Sequence, residues 1–228
     1  MLEKEIRIED RDTFQKIFAK YGAFALDKEE NLAQIIGEEE GNLHIDKGTI
    51  SFGEDLEFPI QILGTLSTET QKWHWAWDNE EVGFPEELIE ESKKVKEIGE
   101  KYNIAQFTTD MFDADLFEAH VIAMAVTGLL DDSAYYVVDF DGITFFVSIK
   151  SDEIPKDETI ERFLSIYDRF QKEFDVKARL AFEGYTKLRG YEYKEREEFS
   201  VAKMGESRVI VGFTERGNVT HIQTLLED

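Results

Sequence analysis

The chain has 228 residues, 42% of them hydrophobic, which is enough to fold around a sizeable core. Asp and Glu total 50 against 26 Lys and Arg, a net charge of −24. That balance excludes nucleic acid and anionic lipid as expected partners, because both are bound through clustered cations. The absence of Cys excludes disulfides, thiolate metal sites and a Cys nucleophile.

Met1 to Arg7 lacks the apolar core of a secretory signal. The longest apolar stretch, Val121 to Val126, is far short of the roughly 20 residues of a membrane helix. No membrane partner is expected, and the cytoplasm is the expected location.

In chain order, Phe14, Ile17, Phe18, Tyr21, Phe24, Ala25, Leu32, Ile35 and Ile36 recur at helical spacing. They predict a long helix, capped by Asp10 or Asp12 and ended by Gly37. Gly22 or Leu26-Asp27 is where it would break in two. A meander follows, with strands at Leu43–Asp46, Thr49–Phe52, Phe58–Leu66 and Lys72–Asp78 separated by turn residues. Phe58, Ile60 and Ile62 share one face of their strand, while Glu57 and Gln61 point to the other.

Pro85 opens a second helix with a narrow apolar stripe of Leu88, Val95, Ile98 and Tyr102. A third helix, Asp115 to Leu130, is apolar almost all round and so belongs in a core. Tyr135–Phe140 and Ile143–Ile149 flank Asp141-Gly142, a hairpin signal because both turn positions need positive φ. Ser151 to Asp157, with Pro155, reads as a linker between a region 1–150 and a region 156–228. Beyond it come a helix marked by Ile160, Phe163, Leu164, Tyr167, Phe170 and Phe174, and strands near Tyr185–Tyr193, Phe199–Met204, Val209–Thr214 and Val219–Leu225. The expected fold class is α+β, antiparallel β-meanders packed against helices, with helix-plus-meander repeated as a candidate duplication.

The most unusual local feature is Trp73-His74-Trp75-Ala76-Trp77-Asp78-Asn79, which holds every Trp of the chain. On a strand, period two places the three Trp on one face and His74 on the other. Such a row either seals a core, since Trp buries a large apolar area, or walls a ligand pocket. With Leu63-Gly64-Thr65 upstream, these residues resemble the signature of an uncharacterised, mainly bacterial family: a Gly-Thr strand, a short turn, then Trp-x-Trp-Ala-Trp-x-Asn. The resemblance spans about residues 10 to 150 and implies no established activity and no catalytic residues.

Four His are present: His44, His74, His120 and His221. His120 follows Asp113, Asp115 and Glu118, but Glu118 and His120 point to different sides of a helix and metal-ligand spacings are missing. No metal and no cofactor are expected. His120 is expected to bond a neighbouring backbone group. Asp131-Asp132 reads as a helix exit, and Lys93, Lys94 and Lys96 as ion-paired with flanking Glu residues. The candidate ligand-binding residues are therefore Trp73, His74, Trp75, Trp77 and His120. Three functional classes follow, the last a mainly structural or oligomer-forming role. The first is a non-enzymatic binding or protein-interaction module, whose acidic surface suits a basic protein partner. The alternative is a small-molecule pocket or enzyme with a Trp-lined cavity in a curved sheet.

Overall fold

The computed structural model describes residues 8–78 and 83–226; Met1 to Arg7 and Asn79 of the tryptophan motif lie outside the described residues. It is an α+β fold in which every strand pair is antiparallel. No described helix is long and apolar enough to cross a membrane. The chain divides into two compact units, one from Lys28 to Lys156 and one made of the chain up to Asp27 together with Asp157 onward. The first helix, α1 (Phe14–Ile36), is unbroken and contributes to both.

The Lys28–Lys156 unit holds a curled seven-stranded sheet. Its strands are β1 (Gly41–His44), β2 (Thr49–Phe52), β3 (Leu56–Ser67), β4 (Lys72–Trp75), β5 (Met111–Asp113), β6 (Ala134–Phe140) and β7 (Ile143–Ile149). The first five follow one another in order, while β7 pairs with β3 and β6 pairs with β7. The twelve-residue β3 holds this arrangement together: its start pairs with β2 and its remainder pairs with β7 on one side and β4 on the other. Phe58, Ile60 and Ile62 do share one face, where they pack with Ile50, Phe52, Val147, Ile149 and Leu32 of α1.

The opposite face carries Trp73, Trp75 and Phe146, whose rings lie 5.1 and 5.2 Å from Trp73. Helices α2 (Glu90–Tyr102) and α4 (Leu116–Leu130) lie against the sheet, and a short α3 (Ala105–Thr108) lies between them in sequence. Asp115 and Glu118 form a capping box at the start of α4. The expected strand Lys72–Asp78 stops at Trp75, and Ala76–Asp78 turns as a 3-10 helix. There the Trp77 N–H donates to Ser92 Oγ at 3.2 Å instead of to a neighbouring strand. Trp77 thus leaves the row that strand periodicity assigned to it.

The other unit holds α1 up to Asp27, α5 (Ile160–Glu173), α6 (Ala178–Leu188) and a four-stranded sheet. The sheet runs in the order β11 (Val219–Leu225), β10 (Ser207–Phe213), β9 (Phe199–Met204), β8 (Glu192–Glu195). Its aromatic core includes Phe18 against Phe170 at 5.3 Å and Phe163 stacked on Tyr185 at 4.6 Å. The expected strand Tyr185–Tyr193 is a correction: the chain remains helical to Leu188, and only Glu192–Glu195 is strand. Ala178, Ala181, Phe182, Tyr185 and Leu188 bury one helical stripe, and the alternating tyrosines beyond it obscured that period.

Candidate functional site

Tyr135, Ser148 and Gln61 stand directly opposite one another across β6, β7 and β3. Residues paired this way in antiparallel strands project to the same face. They form a polar row on the Trp73–Phe146 side of the sheet. Gln61 fixes the start of α2 above it: its amide donates to the Glu87 carbonyl at 2.7 Å and accepts from the Glu91 N–H at 3.3 Å. A bulge between Ile62 and Gly64 shifts the register, and the Leu63 carbonyl there accepts from Ser92 Oγ at 3.0 Å. These bonds set Glu91, in the first turn of α2, over Ser148. The Ser148 hydroxyl donates to the Glu91 carboxylate.

Asp132 reaches the same point from the other side. Asp131 ends α4 in the left-handed conformation, φ 58°, and the Asp132 N–H bonds back to the Thr127 carbonyl at 3.1 Å. Lys28 of α1 fastens this exit, donating to Asp131 Oδ1 at 2.8 Å and to the Asp132 carbonyl. The turn sends the Asp132 side chain inward. Its side chain is 0% exposed and Glu91 is 7% exposed.

No described N–H or O–H reaches either Asp132 carboxyl oxygen within hydrogen-bond distance. The Lys150 ammonium stops 3.9 Å away. The group that meets Asp132 is the Glu91 carboxyl, and two carboxyls bond only when one holds a proton. Burial, and then the Glu91 charge and hydrogen bond, push the Asp132 carboxyl up to about 8, against the pull of Lys150 and Lys28. That shift favours the protonated form of Asp132 beside Glu91.

Glu91 of this pair, but not the sealed Asp132, lines a cavity of about 240 Å³ together with Gln61, Glu90, Lys94, Ser148, Lys150, Pro59 and Ile60. The wall combines acceptors at Glu91 with two exposed ammonium groups, Lys94 and Lys150. Such a site can hold a small polar molecule by charge-assisted hydrogen bonds. Among the described residues, no three His, Asp or Glu side chains are grouped to hold a metal ion.

The structure brings three of the residues singled out by sequence into one aromatic cluster. Trp73 and Trp75 have no exposed surface, and Trp75 Nε1 donates to the Gln106 carbonyl at 2.9 Å. His120 lies 5.5 Å from Phe146, which touches Trp73. Its Nδ1 makes a 3.0 Å hydrogen bond with the Tyr135 hydroxyl, not the backbone bond expected. Burial lowers the His120 pKa, opposed by the charge of Asp139. Burial, then the charge and hydrogen bond of Glu29, hold the Tyr135 phenol well above its usual range.

The other two lie apart from that cluster. His74 pairs across strands with Thr65 and Met111 and lies 3.5 Å from Asp78. Trp77 packs under the Lys96 ammonium, 4.0 Å from its ring centre. Sequence reasoning missed Glu91, Asp132 and Ser148. The available signals were Gln61 opposite an apolar face and Ser148 within the apolar strand Ile143–Ile149.

A family model described as a family of unknown function (DUF6882) matches residues 15–151, more than half of the chain, and the chain belongs to that family. The matched segment contains Lys28, Gln61, Glu91, Asp132, Ser148 and Lys150. No curated protein and no solved structure matches the chain.

Proposed function

We propose that this member of the family is a binding module whose ligand site is the cavity over Glu91 and Ser148. The observation that carries the proposal is the largely buried Glu91 carboxyl in the cavity wall, set between Ser148 and the exposed Lys94 and Lys150 and backed by the sealed Asp132 carboxyl. Burying a carboxyl beside another is costly unless something repays it. A bound molecule that donates to Glu91 from the cavity supplies part of that compensation. The cavity, about 240 Å³, is smaller than the roughly 300–1,000 Å³ of drug-sized sites, which favours a metabolite-sized ligand.

Melting temperature in a library of small polar metabolites tests this. Hits are expected to raise it in proportion to ligand concentration over its Kd, and Glu91→Gln is expected to abolish the rise. A library that never shifts the wild-type chain, or hits that Glu91→Gln leaves intact, would overturn the assignment.

A second reading, docking of a basic protein, is supported by the net charge of −24. Its test is capture of a cationic partner at low salt that is released at high salt.

A further inference from the structure

We infer that the open face of the four-stranded sheet is a docking surface for an acidic segment of a partner protein, one that carries apolar side chains among its carboxylates. The inference is independent of the cavity at Glu91.

The two faces of this sheet differ. Ser200, Ala202, Met204, Val209, Val211 and Phe213 are buried on one face. Tyr193, which pairs with Ala202, meets Phe182 of α6 at 6.3 Å on that same side. The residues between them project to the opposite face. There the register aligns Lys194, Val201 and Ile210 in one row, and Glu192, Lys203, Arg208 and Leu225 in the next. With Arg196 and Phe199, these residues line an open concavity of about 440 Å³.

Its chemistry is the reverse of the chain's as a whole. Acids outnumber bases 50 to 26 along the chain. On this face Lys194, Arg196, Lys203 and Arg208 stand against one carboxylate, Glu192. Glu192 is taken by Lys194 at 2.7 Å, and Lys203 stops 3.9 Å from Glu206, too far for a hydrogen bond. Arg196 and Arg208 have no carboxylate partner among the described residues. Val201 and Ile210 pair between these cations, and Phe199 and Leu225 extend the apolar ground as exposed side chains.

Apolar groups set between unpaired cations are complementary to apolar groups set between carboxylates. Guanidinium groups favour this match, since each can hold a carboxylate through two hydrogen bonds. A second copy presenting the same face would bring cations onto cations. An anionic membrane meets the whole chain, whose net charge of −24 repels it. A short segment lying on the face is within the roughly 8 Å over which charges act at physiological ionic strength, so the four cations govern its binding. Four strands make a face about 15 Å across, which about five extended or ten helical residues span.

The experiment pans a display library of random 16-residue peptides against the full chain and measures enriched peptides by fluorescence polarisation. They are expected to be acidic with interspersed apolar residues, and to bind more weakly as salt rises. Arg196→Glu and Arg208→Glu should each weaken them by about tenfold or more, the worth of one charge-assisted hydrogen bond. Both side chains are exposed, so an unchanged melting temperature is expected to show the fold intact. Phe199→Ser should weaken the same peptides through the apolar half of the contact.

No enrichment, enrichment of basic peptides, or peptides that both arginine variants leave unaffected would overturn the docking surface. Acidic peptides that bind equally well after their apolar residues become Ser would overturn the apolar half. Sedimentation as a dimer that Arg208→Glu dissociates would overturn the partner in favour of a second copy. Co-sedimentation with phosphatidylserine vesicles but not phosphatidylcholine vesicles, lost in Arg208→Glu, would overturn it in favour of a membrane.

Discussion

The indole of Trp73 lies across Gly64 on the neighbouring strand: a Cβ at Gly64 would come within 2.6 Å of the Trp73 ring and 2.7 Å of the His74 carbonyl. A glycine on β3 is thus what allows a tryptophan on β4 to lie flat against the sheet. Gly64→Ala should cost about 1–3 kcal/mol, the range for overfilling a packed core. Urea unfolding of Gly64→Ala, Trp73→Phe and the double variant measures the coupling. The smaller ring should recover part of the alanine's cost, and strictly additive losses would break the link between the two positions.

Trp75 lies beside this pair, fully buried, with its ring 6.1 Å from Phe107 and its Nε1 bonded to Gln106. Trp75→Ala removes the largest kind of side chain from a closed interior and leaves the Gln106 carbonyl without its donor. The expected loss is about 3–5 kcal/mol, read from urea unfolding with an unchanged slope. A loss below about 1 kcal/mol would mean that the Trp75 environment opens in solution.

What was legible in the sequence was what short-range chemistry decides. The period of Phe14–Ile36, the all-round apolarity of α4 and the Asp141-Gly142 turn each specify an element within their own window. Strand alternation likewise placed Phe58, Ile60 and Ile62 on one face. Trp77 escaped because a Ser92 hydroxyl distant in sequence, not its own strand, takes its N–H. Helix α6 escaped because Gly184 and Thr186 lower its helical propensity. Its glycine is needed for contact: a Cβ at Gly184 would lie 2.1 Å from the Lys20 carbonyl of α1. The carboxyl pair was illegible for a different reason. Among 50 acidic residues, Glu91 and Asp132 are distinguished by being buried beside each other, unlike Asp12 and Asp27, which are buried against cations, and that placement is set by α2 and the α4 exit meeting over one strand.

Asp27, in the other unit, shows how a buried carboxylate behaves when it is fully partnered. It accepts from Arg162 Nε at 2.9 Å and from Arg189, and all three side chains are largely buried. Asp27→Ala would remove the buried carboxylate that both guanidinium groups bond. The expected loss is about 3–5 kcal/mol, again from urea unfolding. A loss near zero would show that the arginines reach solvent once released.

Asp132 should make stability depend on pH, because its folded-state pKa is raised. The folded chain keeps the Asp132 proton from the ordinary carboxyl value of 3.8 up to about 8, while the unfolded chain has released it. Folding thus takes up a proton in this window, and the group's contribution to stability is fully present below it. That contribution is lost as pH rises, at no more than about 1.4 kcal/mol per pH unit. Above about 8 it is spent, because both states are then ionised. Asn at this position does not titrate, and its amide still donates to Glu91. The stability of Asp132→Asn relative to wild type should therefore rise from pH 5 toward pH 8 and level off beyond. The other acidic groups are common to both chains and largely cancel. Chemical denaturation at pH steps across this range measures the gap. With Glu91→Gln in the background, the repelling charge is gone and the rise should flatten. A gap that stays constant with Glu91 in place would show that the two carboxyls do not share a proton.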